Sequence, residues 1–181
     1  SIQVTFYILV AFLLAYGVTS ADMSRDDMLS AVLIGSAIMV PVQFMFSSYS
    51  DRNGRKGIFM TGAILTALWA FAIFPWVDTG NFWLIVLAVT FGLSFLAMMY
   101  GPQAAFFTEL FSTEVRYSGA TLGYQLGAIA GGAFAPTIAA KLWTDFDIFW
   151  VSVYIAIASI LTLLSVMSLT ETYKTDLNEK I

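Results

Sequence analysis

The 181-residue sequence contains no cysteine and no histidine. Disulfides, thiol nucleophiles, iron–sulfur ligation and Cys/His zinc sites are therefore excluded within it. Charge is scarce too: Asp, Glu, Lys and Arg make up 11% of the chain, against ~25% in an average soluble domain. Hydrophobic residues reach 59%, and the mean hydropathy is +0.82. A water-soluble fold of this length cannot coat its surface with so few polar side chains. Soluble enzymes, nucleic-acid binders and disordered segments are excluded on that ground. No Lys or Arg precedes Arg25, so the first apolar run lacks the basic flank of a secretory signal. With no G-x-S-x-G and no phosphate-binding loop, nothing points to an enzyme, a cofactor or a metal.

What the chain does have is long apolar runs. A membrane-spanning helix needs ~20 mostly apolar residues. Six such runs are read at about 2–20, 28–46, 57–77, 82–107, 118–142 and 148–169. They form a bundle over 1–170, followed by a tail at 171–181. A β-barrel would need alternating apolar and polar residues. Phe82–Val89 (FWLIVLAV) and Ile155–Leu164 (IAIASILTLL) do not alternate. The predicted class is an all-α integral membrane protein, with the lipid bilayer as its first partner.

The Lys and Arg residues set the orientation. Arg52, Arg55, Lys56, Arg116, Lys174 and Lys180 fall on one side, and only Arg25 and Lys141 on the other. The basic side is predicted to be cytoplasmic, with both termini inside. The opposite loops carry Asp22, Asp26, Asp27, Asp78, Asp145 and Asp147.

The most specific stretch is Ser47–Lys56, SSYSDRNGRK. It is a very short connection in which Gly54 permits a tight turn. On physics alone it reads equally well as a polar turn obeying the positive-inside rule. It also resembles the G-x-x-x-D-R-x-G-R-[RK] motif of the major facilitator superfamily, matching at Asp51, Arg52, Gly54, Arg55 and Lys56. Ser47 replaces the opening Gly, and Tyr49 the usual Leu, which suits the weaker copy of the motif between the eighth and ninth helices. A second stretch, Glu109–Gly127, is similar to the E-L-F-P-T-x-V-R-Y-x-G-x-x-x-G-Y-Q-x-G of the metabolite:proton symporter family, with Ser112 in place of Pro. The tail Thr170–Leu177 resembles the P-E-T-x-x-x-D-L that closes many members.

The resemblance covers the whole chain. It implies helices seven to twelve, one half of a twelve-helix fold, with Ser1 inside helix seven and an N-terminal six-helix half as partner. It implies alternating access for a small polar metabolite (organic acid, betaine or amino acid type) with proton symport, in a bacterial inner membrane. It also implies that Asp51, Arg52, Arg55, Glu109 and Arg116 form a cytoplasmic network favouring the outward-open state. Arg52 or Arg55 is positioned to meet Glu109, and Arg116 to meet Glu109 or Glu114. The rivals are a sugar-porter-type transporter and a six-helix scaffold or channel.

Gly119, Gly123, Gly127 and Gly131 recur every four residues along the fifth run. Such a stripe lets another helix approach closely, either as static packing or as a smooth face for a moving helix. Pro41, Pro102 and Pro136 favour kinks. Trp69, Trp76, Trp83, Trp143 and Trp150 read mostly as an aromatic belt, and the eight Met residues as filler. Candidate substrate contacts are Gln3 and Tyr7, one turn apart on the first run, and Tyr124 and Gln125 on the fifth. Gln43 is a further buried amide. Gln125 shares a face with Tyr117 and Thr121 and is expected to be buried with a hydrogen-bond partner. No Asp, Glu, Lys, Arg or His lies deep within any run. The proton-coupling carboxylate and any substrate-holding arginine are therefore expected in the other half.

Overall fold

The computed structural model describes residues 1–110 and 116–169; the side chains of Leu110, Arg116, Tyr117 and Ala130 are outside that description. Ser112, Glu114 and the tail at 171–181 also lie outside the described residues. Regular structure among the described residues is helical throughout.

Six helices are long and apolar enough to cross a membrane. The first is Ile2–Ser20 and the second Arg25–Asn53. The third is Arg55–Val77, the fourth Phe82–Leu110 and the sixth Ile148–Met167. The fifth runs from Arg116 to Asp145 in two pieces, Arg116–Ala128 and Ala135–Asp145, with a π-helical turn at Ile129–Ala133 between them. The first span also carries a π turn, at Ile8–Phe12.

The second and fourth spans run further than the apolar runs at 28–46 and 82–107 suggest. Polar residues such as Ser47, Ser48, Ser50 and Asp51 continue the second helix beyond its apolar stretch. The turn between the second and third spans shrinks to Gly54, whose φ of 104° and ψ of 147° suit glycine and strain any other residue.

At the opposite end Ser24, Asn81 and Asp147 cap helices. Ser24 Oγ accepts from the Asp27 backbone N–H at 3.1 Å and donates to Asp27 Oδ2 at 2.7 Å. Asn81 Oδ1 accepts from the Trp83 N–H at 3.0 Å, and Asp147 Oδ1 from the Phe149 N–H at 3.3 Å. Each cap satisfies an otherwise orphaned helix N–H.

The second span packs on the fourth, the fourth on the third, and the third on the sixth. The first and fifth spans pair with each other across this row, and the first also touches the fourth and sixth. The core between these layers holds Ile8, Leu9, Leu13, Phe74, Leu93, Leu96, Phe106 and Ile155, all essentially buried. The perimeter is equally apolar: Phe44 is 69% exposed, Leu68 67% and Leu161 60%. Burying each such side chain is worth ~1.5–3 kcal/mol, so a hydrocarbon surround is the environment this surface fits.

Trp69 departs from the belt expected of the tryptophans. Its ring packs on Trp76, Phe91 and Phe95, and its indole N–H donates to the Ala88 carbonyl at 3.0 Å. It is a contact between the third and fourth spans. Trp143 likewise packs inward, on Phe12 and Tyr16.

Candidate functional site

Two constellations stand out, one at the basic end of the bundle and one along the first and fifth spans. The first begins at Gly54. Because the third helix starts one residue after the second ends, Arg55 stays one helical turn from Asp51 and sits beside the end of the fourth span. Arg55 Nε donates to Glu109 Oε1 at 2.7 Å and to Oε2 at 2.8 Å. Its Nη1 donates to Asp51 Oδ1 at 2.7 Å. The Arg55 and Glu109 side chains are only 11% and 10% exposed, whereas Asp51 is 56% exposed. Among the described residues, the pairing seen is Glu109 with Arg55 rather than with Arg52.

Lys56 turns the other way. Its ammonium donates to the carbonyls of Met167 and Leu169, at 2.8 and 2.6 Å, where the sixth span ends. A cation there meets the negative end of a helix dipole and its orphan carbonyls. Adjacent basic residues thus tie the second–third turn to the fourth and sixth spans. Arg52 is exposed, and Arg116 opens the fifth span with its side chain outside the description.

The second constellation is a set of adjoining clefts of about 500, 160 and 440 Å³. Tyr124 lines all three. Gln3 and Tyr7 join it in the third, where Ser36, Gln43 and Tyr100 add to the polar lining. Gln3 Nε2 donates to the Tyr124 hydroxyl at 3.1 Å, linking the first and fifth spans. Three of the four sequence candidates therefore meet in one place. Gln125 is apart from them: it lines none of these clefts and is exposed, because its face of the fifth span points away from the first. Its expected burial and partner are not found among the described residues.

The fourth span supplies residues that sequence reasoning passed over, Tyr100 and Gln103. They flank the Gly101-Pro102 step, three positions apart, and that spacing was the available signal. Among the described residues, no Asp, Glu, Lys or Arg lines these clefts. The described part of the lining is one of neutral donors and acceptors on an aromatic wall.

The glycine stripe is open within this chain at its centre. A Cβ on Gly123 or Gly127 would meet nothing within 4 Å, and one on Gly131 would make only ordinary contact with Val4 and Gln3. The close approach is at Gly132, outside the four-residue repeat, where a Cβ would lie 2.8 Å from the Tyr7 ring. The π turn at Ile129–Ala133 rotates the helix there and brings Gly132 against the first span.

Comparison with known proteins follows the same lines. The chain matches the family described as the Major Facilitator Superfamily over residues 1–122. It is 34% identical over 174 residues to the inner membrane metabolite transport protein YhjE of Escherichia coli (strain K12), covering 92% of this chain and 39% of that protein. It is 35% identical over 155 residues to the shikimate transporter of the same organism, covering 83% of this chain and 35% of that protein. A putative metabolite transport protein of Haemophilus influenzae is 31% identical over 185 residues, covering 96% of this chain and 42% of the relative. The chain thus spans roughly two fifths of the length of these relatives. No solved structure matches it.

Proposed function

The chain belongs to the Major Facilitator Superfamily, and from that premise we propose that it forms the C-terminal six-helix half of a secondary transporter for a small polar metabolite. It works with an N-terminal six-helix half by alternating access. Proton entry drives uptake, and both termini face the cytoplasm. The observation that carries this reading is Arg55, held at once by Glu109 and Asp51 beside a one-residue turn. A static scaffold does not need that construction. It lets a buried ion pair fix the second, third and fourth spans relative to one another at one mouth of the bundle. Two conformations separated by a few kcal/mol are biased by a group of that strength.

The clefts around Tyr124 are the other support. They open between the paired first and fifth spans and the second and fourth, where a transporter holds its substrate. With no Asp, Glu, Lys or Arg among the described residues that line them, the coupling carboxylate is assigned to the other half. The relatives named as metabolite and shikimate transporters agree with a small polar substrate.

The test is uptake into proteoliposomes by the full-length protein that carries this chain, under an imposed inward proton gradient. Saturable uptake that collapses with the gradient is expected. Unitary ion currents in a planar bilayer, without saturable uptake, would overturn the reading. The glutamine substitution of Glu109, made alongside Asp51→Asn, is expected to change the accessibility of the inner cavity to a membrane-impermeant thiol reagent, read at a single introduced cysteine. Unchanged accessibility and rate would remove the latch role.

A further inference from the structure

A groove of about 440 Å³ opens on the perimeter of the bundle, between the second and third spans at their basic end. The second span contributes Phe46, Tyr49 and Asn53 to it, and the third Gly57, Ile58 and Thr61. Each set recurs at helical spacing and so forms one face. Met98 of the fourth span also lines the groove, which shares no lining residue with the clefts around Tyr124. Its depth matches one layer of a bilayer. Phe46 closes the apolar run at 28–46, and Gly57 opens the run at 57–77. From Phe46 to Asn53 is two helical turns, ~10 Å. The groove therefore crosses from the hydrocarbon edge into the headgroup region.

The polar groups at its mouth are unevenly used. Of the basic residues at the turn, Arg55 is held by Glu109 and Asp51, and Lys56 by the Met167 and Leu169 carbonyls. Arg52, on the same turn of helix as Tyr49 and Asn53, is exposed and has no partner among the described residues. The Tyr49 hydroxyl has none there either. Asn53 spends one amide N–H on the Tyr49 carbonyl at 3.3 Å and keeps a second. Gly54 gives the third helix no capping side chain, and the first turn of that helix holds no acidic residue. Its positive end thus lacks an anion of its own. Among the described residues no Asp or Glu lines the groove, and Asp51 is turned to Arg55. The mouth therefore offers positive charge and donors above an apolar floor. An ammonium headgroup would find no carboxylate here.

We propose that this groove binds one anionic glycerophospholipid, its phosphate held by Arg52, Tyr49 and Asn53 and its first acyl methylenes lying on Phe46, Ile58 and Met98. A free phosphate would use the same mouth and leave the apolar half of the groove unfilled. The site goes beyond the transport reading. It brings a lipid against the one-residue turn whose next residue, Arg55, ties three spans together, so the lipid braces that turn from its outer side.

The test uses the full-length protein that carries this chain, in phosphatidylcholine nanodiscs. The probe is a trace of phosphatidylglycerol with a diazirine near the carboxyl end of one acyl chain, and adducts are mapped by peptide mass spectrometry. Adducts should concentrate within residues 46–61. Unlabelled phosphatidylglycerol should displace them at about fivefold lower content than phosphatidylethanolamine, the factor that one basic residue supplies at a membrane surface. Soluble glycerol phosphate should not displace them. Arg52→Gln should bring the two lipids level. A Cβ on Gly57 would meet nothing within 4 Å. Gly57→Leu therefore fills the groove without a clash, and should remove these adducts while those elsewhere on the perimeter persist. The proposal is overturned by adducts spread evenly over the perimeter, by equal competition from the two lipids, by displacement with glycerol phosphate, or by adducts that survive Gly57→Leu. It also falls if Arg52→Gln lowers the unfolding midpoint but keeps the competition ratio, which would assign Arg52 to the end of its own helix alone. Labelling needs no transport, so absent uptake would overturn the transport reading and leave this site standing.

Discussion

Arg55 and Glu109 are 54 positions apart in sequence, yet one Nε–H of the arginine is shared between both oxygens of the carboxylate, at 2.7 and 2.8 Å. The pair is nearly closed to solvent, while Asp51, which holds the same guanidinium, is 56% exposed. Breaking a buried pair by removing one member costs ~3–5 kcal/mol, whereas an exposed pair is worth ~0–1 kcal/mol. Glu109→Ala should therefore lower the unfolding midpoint of the purified full-length protein several times more than Asp51→Ala does. Equal losses would show that burial does not distinguish the two carboxylates.

Gly54 supports a sharper contrast. Its φ of 104° penalises any side chain, so Gly54→Ala should destabilise by about 1–2 kcal/mol. Gly57, three residues on, has an ordinary helical backbone, and a Cβ there would meet nothing within 4 Å. Gly57→Ala should be neutral or stabilising by up to ~1 kcal/mol. Thermal unfolding of the two variants in the same detergent reads the difference directly.

At the other end, Tyr16 donates to Asp78 Oδ1 at 2.6 Å and packs edge-on against Phe74 and Trp143. The phenol fixes the end of the first span to the loop after the third. A hydrogen bond to a charged group contributes ~1.5–3 kcal/mol. Tyr16→Phe removes that bond and keeps the ring packing, so a loss in this range is expected. Tyr16→Leu should lose more, because the aromatic contacts go as well. A Tyr16→Phe variant as stable as the parent would show that the hydroxyl is equally well solvated without Asp78.

These contrasts also mark what could be read before the fold was known. The runs 2–20 and 57–77 were legible because hydropathy registers the thickness of hydrocarbon, and those helices end close to its edges. The second span was underestimated because Ser47–Asn53 continues as helix in a polar setting that hydropathy does not score. The π turn at Ile8–Phe12 was invisible: ILVAF is as apolar as any regular turn, and only the backbone distinguishes it. At the site, composition pointed to Gln3, Tyr7 and Tyr124, since amides and phenols are costly in lipid. Gln125 satisfied the same reasoning but is exposed and lines none of these clefts, a difference of direction that composition does not carry. The choice of Arg55 over Arg52 as partner of Glu109 likewise needed the one-residue turn to be seen.

The sequence left open how closely helices approach where Ser47 replaces a motif glycine. The approach is close, and the small residue comes from the facing helix. A Cβ on Gly101 would lie 2.9 Å from the Gln43 carbonyl oxygen and 3.3 Å from the Ser47 backbone nitrogen. Both are main-chain atoms of the second span, so no rotamer change relieves the clash. Gly101→Ala should cost ~1–3 kcal/mol, the usual penalty for overpacking.

Gly132 makes a useful counterpart, since its Cβ would meet the Tyr7 ring at 2.8 Å, and a side chain can move. Gly132→Ala should displace Tyr7 toward the cleft it shares with Gln3 and Tyr124, raising the substrate KM more than it lowers stability. Replacing Tyr7 by Leu in the same protein removes the ring that clashes, so the double variant should regain the unfolding midpoint lost in Gly132→Ala. No substitution of Tyr7 should restore Gly101→Ala, whose obstruction is main chain. If Tyr7→Leu failed to rescue Gly132→Ala, the contact between the first and fifth spans would not be the one that sets the width of the cleft.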